Sequence, residues 1–326
     1  MTTTRRAALA LPALALAPAL APGARAQAWP DRPVRIIVGF PGGSTPDIAA
    51  RAVAAHFQAA LGQPAVVDNR PGGGGVIGVE AAIRANDGHT LAVTIGGPGS
   101  IAKILNPQLS YDPVTDLAPV SLLARMPFVL AVNPGVPARN VAELIAHARA
   151  NPGRLNYGSV GAGSTGHMLV AEFAARQGLD MTHVPFRSVP QSVTEIVAGR
   201  IELMAAAAGA VLGQARGGQV RALAVSGDAR MAQLPDVPTL TEQGEPGAGV
   251  YAWIGLFAPA GTPAERIARL SAEAQQAMAN AETRRSLEAA GFTPLGTDAA
   301  TLAALVRAEV AHWGPIIQRL NIRPES

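Results

Sequence analysis

The chain has 326 residues, 26 basic against 23 acidic side chains, 48% hydrophobic residues and no cysteine. Disulfides, thiol nucleophiles, zinc–thiolate sites and iron–sulfur clusters are thereby excluded, and the apolar content is too high for a disordered chain. Arg5, Arg6 and Arg25 lie in an acid-free N-terminal stretch; without it, basic and acidic groups balance at 23 each, so the concentrated basic field of a nucleic-acid binder is missing.

Residues 1–28 (MTTTRRAALALPALALAPALAPGARAQA) place two arginines before an apolar run from Ala7 to Ala21 and small residues at Ala24, Ala26 and Ala28. That order is that of a signal peptide cleaved near Ala26 or Ala28, by Sec or twin-arginine export. A membrane anchor is the competing reading. Pro12 and Pro18 interrupt the run, which falls short of the ~20 strongly apolar residues a span needs. The mature chain is expected in a bacterial periplasm.

From Trp29 onward, short β-rich runs, Gly-rich loops and alanine-rich helical stretches alternate. Strand Val34–Phe40 leads through Pro41–Asp47 into helix Ile48–Leu61, strand Ala65–Asp68 into helix Val76–Ala85, and strand Thr90–Ile95 into Gly96–Ser100. A long extended stretch follows, Val120–Asn133. The alternation then restarts: helix Val141–Ala150, strand Leu155–Ser159, helix His167–Gln177, strand Thr182–Val184, helix Val193–Ala198, strand Ile201–Ala205, helix Val211–Gly217 and strand Val220–Ser226. Irregular Leu234–Gly249 precedes a second extended run, Val250–Ala258. Helices Glu265–Ala279, Thr283–Ala290 and Ala299–Gln318 close the chain, with Thr262 expected to cap the first of them ahead of Pro263.

The pattern predicts an α/β protein of two doubly wound sheets joined by two crossover strands, with a ligand cleft between the lobes. The expected division is residues 29–124 and 253–326 in the first lobe and 125–252 in the second.

Three loops, Gly42–Asp47, Gly73–Gly78 and Gly161–His167, put glycines and hydroxyl residues between a strand and a helix start. Free N–H groups and the helix dipole there favour an anion, and such loops lie at the carboxyl ends of parallel strands. Each loop could equally be an ordinary turn. Nucleotide binding is disfavoured: Gly161–Gly166 resembles G-x-G-x-x-G, but Val184–Arg187 stands where an acid would be needed. The six histidines have no metal-ligand spacing, and no G-x-S-x-G elbow marks a nucleophilic serine. Neither metal, cofactor nor catalysis is expected. Asp47 reads as a helix cap, and His167 and His183 as hydrogen-bonding or structural residues. Arg187 is either a surface arginine or a fork for a ligand carboxylate.

Taken together, Trp29–Val38, Pro41–Arg51, Asn69–Gly72, Leu155–Ser159, Leu223–Val225, Leu234–Thr239 and Ala258–Pro263 make the chain resemble the Bug receptors, solute-binding proteins of tripartite tricarboxylate transporters. The resemblance implies a two-lobed periplasmic-binding-protein (type II) fold, expected to be monomeric. It would close on a small organic acid and deliver it to a permease of one large and one small membrane subunit. A sensor signalling to a membrane kinase is the alternative. The implied ligand residues are Gly42, Gly43, Ser44, Thr45 and Asp47 from the first lobe. Those from the second are Ser159, Gly161, Ser164, Thr165, His167, Phe186, Arg187 and Ser188. The family's F-P-P-G-G-x-x-D is Phe40–Asp47 here, with the glycines one place early, and its P-Y-K-G is Pro185-Phe186-Arg187-Ser188. Ligand identity therefore does not transfer.

Overall fold

A computed structural model describes residues 29–186, 188–245 and 249–323. The expected signal peptide and Arg187 lie outside the described residues.

The first parallel unit is β1 (Val34–Val38), α1 (Thr45–Leu61), β2 (Ala65–Asn69), α2 (Val76–Ala85) and β3 (Thr90–Ile95). A single π-turn, Gly97–Ile101, runs into the short helices α3 (Ala102–Leu105) and α4 (Pro113–Asp116). β4 (Leu117–Val132) is the long extended stretch. The second unit is α5 (Val141–Ala150), β5 (Leu155–Ser159), α6 (Thr165–Gln177), β6 (Met181–Pro185), α7 (Val189–Val197), β7 (Leu203–Ala207), α8 (Ala208–Arg216) and β8 (Arg221–Val225). The chain ends in β9 (Tyr251–Pro259), α9 (Ala264–Ala279), α10 (Ala281–Ala289), β10 (Thr293–Pro294) and α11 (Ala299–Arg319).

Two strand groups share one topology. The first runs β2-β1-β3-β9-β4, with β9 antiparallel to both neighbours. The second runs β6-β5-β7-β4-β8, where β4 is the antiparallel member. β4 belongs to both: its first part pairs with β9 and its last part, Phe128–Val132, with β7 and β8. The two groups are therefore one continuous hydrogen-bonded ladder that curls through β4.

Local sequence explains the elements. α1 buries Ala49, Ala50, Val53, Ala54, Phe57 and Leu61 on one face, the three-and-four spacing of an amphipathic helix. It stops at Gly62, whose φ of 71° only glycine adopts cheaply. The main core joins that face to Ile36, Val93, Leu123, Ile254 and Leu270, while Leu144, Leu155, Val170, Phe173 and Leu203 form the core beneath the second group. From α11, Trp313, Ile316 and Ile317 pack with Met168 of α6 and Ile101 of the π-turn. His312 faces Glu172 of α6 at 3.6 Å, and its hydrogen bond is the main reason the Glu172 carboxyl lies below its ordinary range.

Several predicted boundaries move: α1 begins at Thr45 rather than Ile48, α6 at Thr165 rather than His167, and β7 and α8 shift to Leu203–Ala207 and Ala208–Arg216. α7 begins at Val189, not Val193, because Ser188 caps it by accepting the Gln191 N–H. Thr262 does not cap α9. Pro263 occupies the capping position, and the Thr262 hydroxyl donates to the Pro259 carbonyl at 2.7 Å.

Candidate ligand-binding loops

The turn from β1 into α1 carries Gly42, Gly43, Ser44, Thr45 and Asp47. Gly43 has φ 80° and Ser44 is the N-cap. Asp47 is not the cap but the third helical residue, 1% exposed. Its carboxylate reaches back to accept the Gly43 N–H at 2.8 Å, and it also accepts from Arg51 Nε at 2.8 Å and Asn69 Nδ2 at 2.9 Å. Asn69 is fixed in turn by donating to the Phe40 carbonyl and accepting from Arg51 Nη2. Burial pushes the Asp47 carboxyl up, but the donors Arg51, Gly43 and Asn69 together bring it below its ordinary range. The Ser44 hydroxyl is the exception in this tied loop: its oxygen is buried and has no hydrogen-bond partner among the described residues.

The turn from β5 into α6 repeats the construction. Gly163 has φ 78°, and Ser164 is an N-cap with ψ near that of Ser44 (149° against 160°). The Ser44 N–H donates to the Pro41 carbonyl and the Ser164 N–H to the Gly161 carbonyl, both at 3.2 Å. Gly43-Ser44-Thr45 thus corresponds in role to Gly163-Ser164-Thr165, and Asp47 to His167. The Gly163 N–H donates to His167 Nδ1 at 3.0 Å. Unlike Ser44, Ser164 is satisfied: its hydroxyl oxygen accepts the His167 N–H at 3.4 Å and its O–H donates to the Gly161 carbonyl at 2.8 Å.

An aromatic stack supports this second loop. The rings of His167 and His183 lie 4.0 Å apart, Tyr157 is 5.1 Å from His183, and Tyr157 and His167 are parallel within 7° at 6.0 Å. His183 Nε2 is 2.7 Å from Ser159 Oγ, which also accepts the Gly161 N–H at 3.1 Å. Burial, aided by His183, lowers the His167 imidazole to about 4, and burial raises the Tyr157 phenol to about 12. Phe186 is half-buried, donates its N–H to the Ser159 carbonyl and packs over Gly158. Ser188 is engaged as the α7 cap. A cavity of about 400 Å³ runs along α6 to Leu320–Arg323; of the expected site residues that are described, only His167 lines it.

The third Gly-rich loop has a different job. A Cβ on Gly39 would stand 2.4 Å from the Gly75 carbonyl oxygen, and one on Gly78 would meet Gly39 Cα at 2.5 Å. Its glycines let α2 pack directly on the end of β1.

The loop after β3 holds groups that no sequence motif singles out. Ser100 Oγ, in the π-turn, is 2.7 Å from Glu309 Oε2 of α11 and also donates to the Gly96 carbonyl. Burial pushes the Glu309 carboxyl up, against the opposing influence of Ser100, Trp253 and His312. Asn69 and Tyr157 are visible in the sequence only as parts of motifs. The signal for pairing Asp47 with His167 is present in the shared Gly-Ser-Thr triplet of the two loops. Among the described residues no cluster of His, Asp and Glu could hold a metal ion, and no helix is long and apolar enough to cross a membrane.

A family model for the tripartite tricarboxylate transporter family receptor matches residues 49–322. A Pseudomonas protein encoded in the tcbD–tcbE intergenic region is 36% identical over 97% of this chain and 95% of its own length. Protein BugT of Bordetella pertussis is 32% identical over 91% of this chain and 92% of its own. Among solved structures, a Rhodopseudomonas palustris protein with adipate shares 32% identity at a TM-score of 0.79, covering 91% of this chain and all of that one. MatC from the same organism, with bound malate, shares 32% identity at a TM-score of 0.76, over 89% of this chain and all of that one.

Proposed function

The chain belongs to the tripartite tricarboxylate transporter receptor family, and on that premise we propose that it is a periplasmic receptor closing on a small organic carboxylate. The observation that carries the reading is the matched pair of helix starts at α1 and α6, one of which keeps a buried, unpartnered hydroxyl on Ser44. A carboxylate removed from water needs N–H groups, dipoles or a cation around it, because an unpaired buried charge is costly. Two helix N-termini and the Ser44 and Thr45 hydroxyls supply that chemistry. Asp47 and His167 serve their own loops instead, each bonded to a loop glycine. The relatives holding adipate and malate make dicarboxylates the first ligands to try.

Binding at one lobe followed by rotation of the other about β4 and the start of β9 is the proposed mechanism. Residues 29–124 with 253–326 would move against 125–252, driven by the ligand's greater affinity for the closed form. The loaded receptor, exported after cleavage near Ala26 or Ala28 and monomeric, would dock on a permease of one large and one small membrane subunit. Catalysis has no place in this scheme.

The test is thermal unfolding of the purified protein against di- and tricarboxylates, aromatic acids and acidic amino acids, with sugars and phosphate as controls. A ligand at 100 times its Kd adds ~2.7 kcal/mol if it binds only the folded state. In a chain of this size that is a shift of roughly 5–10 °C. No shift with any acid, in protein freed of co-purified ligand, overturns the carboxylate assignment.

A further inference from the structure

The two helix starts match in backbone and differ in the side chain that ties them. In both, the third helical residue reaches back to the N–H of the glycine at positive φ before the N-cap: Asp47 Oδ2 to Gly43 at 2.8 Å, His167 Nδ1 to Gly163 at 3.0 Å. An Asp Oδ and a His Nδ1 stand the same two bonds beyond Cβ, so one backbone geometry admits either acceptor. Their chemistry is unequal. The carboxylate accepts through any lone pair and brings a negative charge. The imidazole accepts only through an unprotonated nitrogen, so its single proton must then sit on Nε2.

We propose that His167 is the positioning residue of the second loop, holding the Gly163 N–H as a neutral imidazole protonated at Nε2, and so shaping the start of α6 without placing a negative charge there. The surroundings fit a neutral ring. His183 of β6 lies against one side, Tyr157 of β5 is stacked parallel to it, and Arg323, beyond α11, lines the same cavity. None of these three offers a carboxylate to an imidazolium, and His167 is 7% exposed. Burial and His183 accordingly depress its basicity to about 4.

The consequence rests on the receptor reading above. At α1 the positive end of the helix already faces the Asp47 carboxylate, itself paired with Arg51. The first turn of α6 holds no acidic side chain, so the positive end of that helix is left to a ligand carboxylate.

The experiment needs no ligand, so it can fail while the receptor reading stands, and the reverse. Nitrogen-15 NMR of the histidine side chains and hydrogen exchange at the Gly163 amide are followed from pH 8 to pH 3.5 in the full chain. The variants are His167→Ala, His167→Asn and His167→Asp. The expected wild-type result is an unprotonated Nδ1 on His167 down to about pH 5, with the Gly163 amide shift moving only as His167 titrates below it. His167→Ala should exchange the Gly163 amide about tenfold faster or more, the loss of one hydrogen bond. His167→Asn, with an acceptor at the same reach and no titration, should restore protection and flatten the pH profile. A proton on Nδ1 at neutral pH, unchanged exchange in His167→Ala, or no rescue by His167→Asn each overturns the proposal. If His167→Ala fails to fold, the wild-type tautomer and its pH profile decide.

Discussion

Leu105 and Gly163 are fitted to each other: a Cβ on residue 163 would stand 2.7 Å from Leu105 Cδ2. Leu105 ends α3, which follows β3 of the first strand group, and Gly163 lies in the loop that starts α6. The contact therefore joins the two groups through a position whose φ of 78° independently calls for glycine.

Gly163→Ala should destabilise the protein by about 2–5 kcal/mol, from roughly 1–2 kcal/mol of left-handed strain and about 1–3 kcal/mol of crowding. A double-mutant cycle with Leu105→Ala, read by urea unfolding, separates the shares. The crowding should appear as a coupling of about 1 kcal/mol or more. Simple additivity would mean that the two residues do not meet.

Ser44→Ala and Ser164→Ala should part ways. The Ser44 oxygen has no partner among the described residues, so its removal should leave stability within ~0.5 kcal/mol while weakening carboxylate binding about tenfold. Ser164 caps α6 and bonds Gly161, so its removal should cost about 1 kcal/mol of stability. Equal effects of the two variants on stability would count against an idle Ser44.

Asp47→Asn should cost about 1.5–3 kcal/mol at pH 7, the worth of charge-assisted hydrogen bonds. The sign with pH follows from a folded pKa lying below the ordinary 3.8. The contribution is present above that pH and is lost as pH falls through the folded value. Unfolding in urea at pH 7 and pH 3 should show the difference between wild type and variant shrinking; a difference that grows in acid refutes the assignment.

Glu309→Gln should stabilise the protein in alkali. The Ser100 hydroxyl has one proton and two acceptors within reach, the Gly96 carbonyl and Glu309. A protonated Glu309, or the amide donor that Glu309→Gln introduces, resolves that conflict. Because the folded pKa is raised above 4.5, this carboxyl's contribution is full below that pH and drains as pH rises through the folded value. Wild type should lose stability as pH rises above 4.5 through the folded value, and Glu309→Gln should lose less. A variant weaker than wild type at pH 8 would show an ionised, paired carboxylate.

Much of this is written locally. Gly62, the Gly42–Asp47 loop and the Gly161–His167 loop punctuate the strands and helices, so the alternation of elements and the two helix starts are legible from the residues alone. The beginning of α7 is not, because the family resemblance assigns Ser188 to the ligand whereas its hydroxyl caps the helix. The Glu309–Ser100 bond is not legible either: it joins side chains 209 residues apart, and neither neighbourhood carries a motif. Asp47 is visible as a helix-start acid, yet its bond to Gly43 depends on Arg51 and Asn69 holding the carboxylate in place.

The double membership of β4 bears on the order in which a growing chain can complete itself. β3 ends at Ile95, but its neighbour β9 begins only at Tyr251. The second strand group, closed by β8 at Val225, has all its members before β9 is synthesised. The first group waits for it with the edge of β3 unpaired, an edge open to pairing with another chain. A nascent polypeptide halted after β8 would hold a finished second half beside an unsealed first one, so shortening from the C-terminus should dismantle the half that is made first.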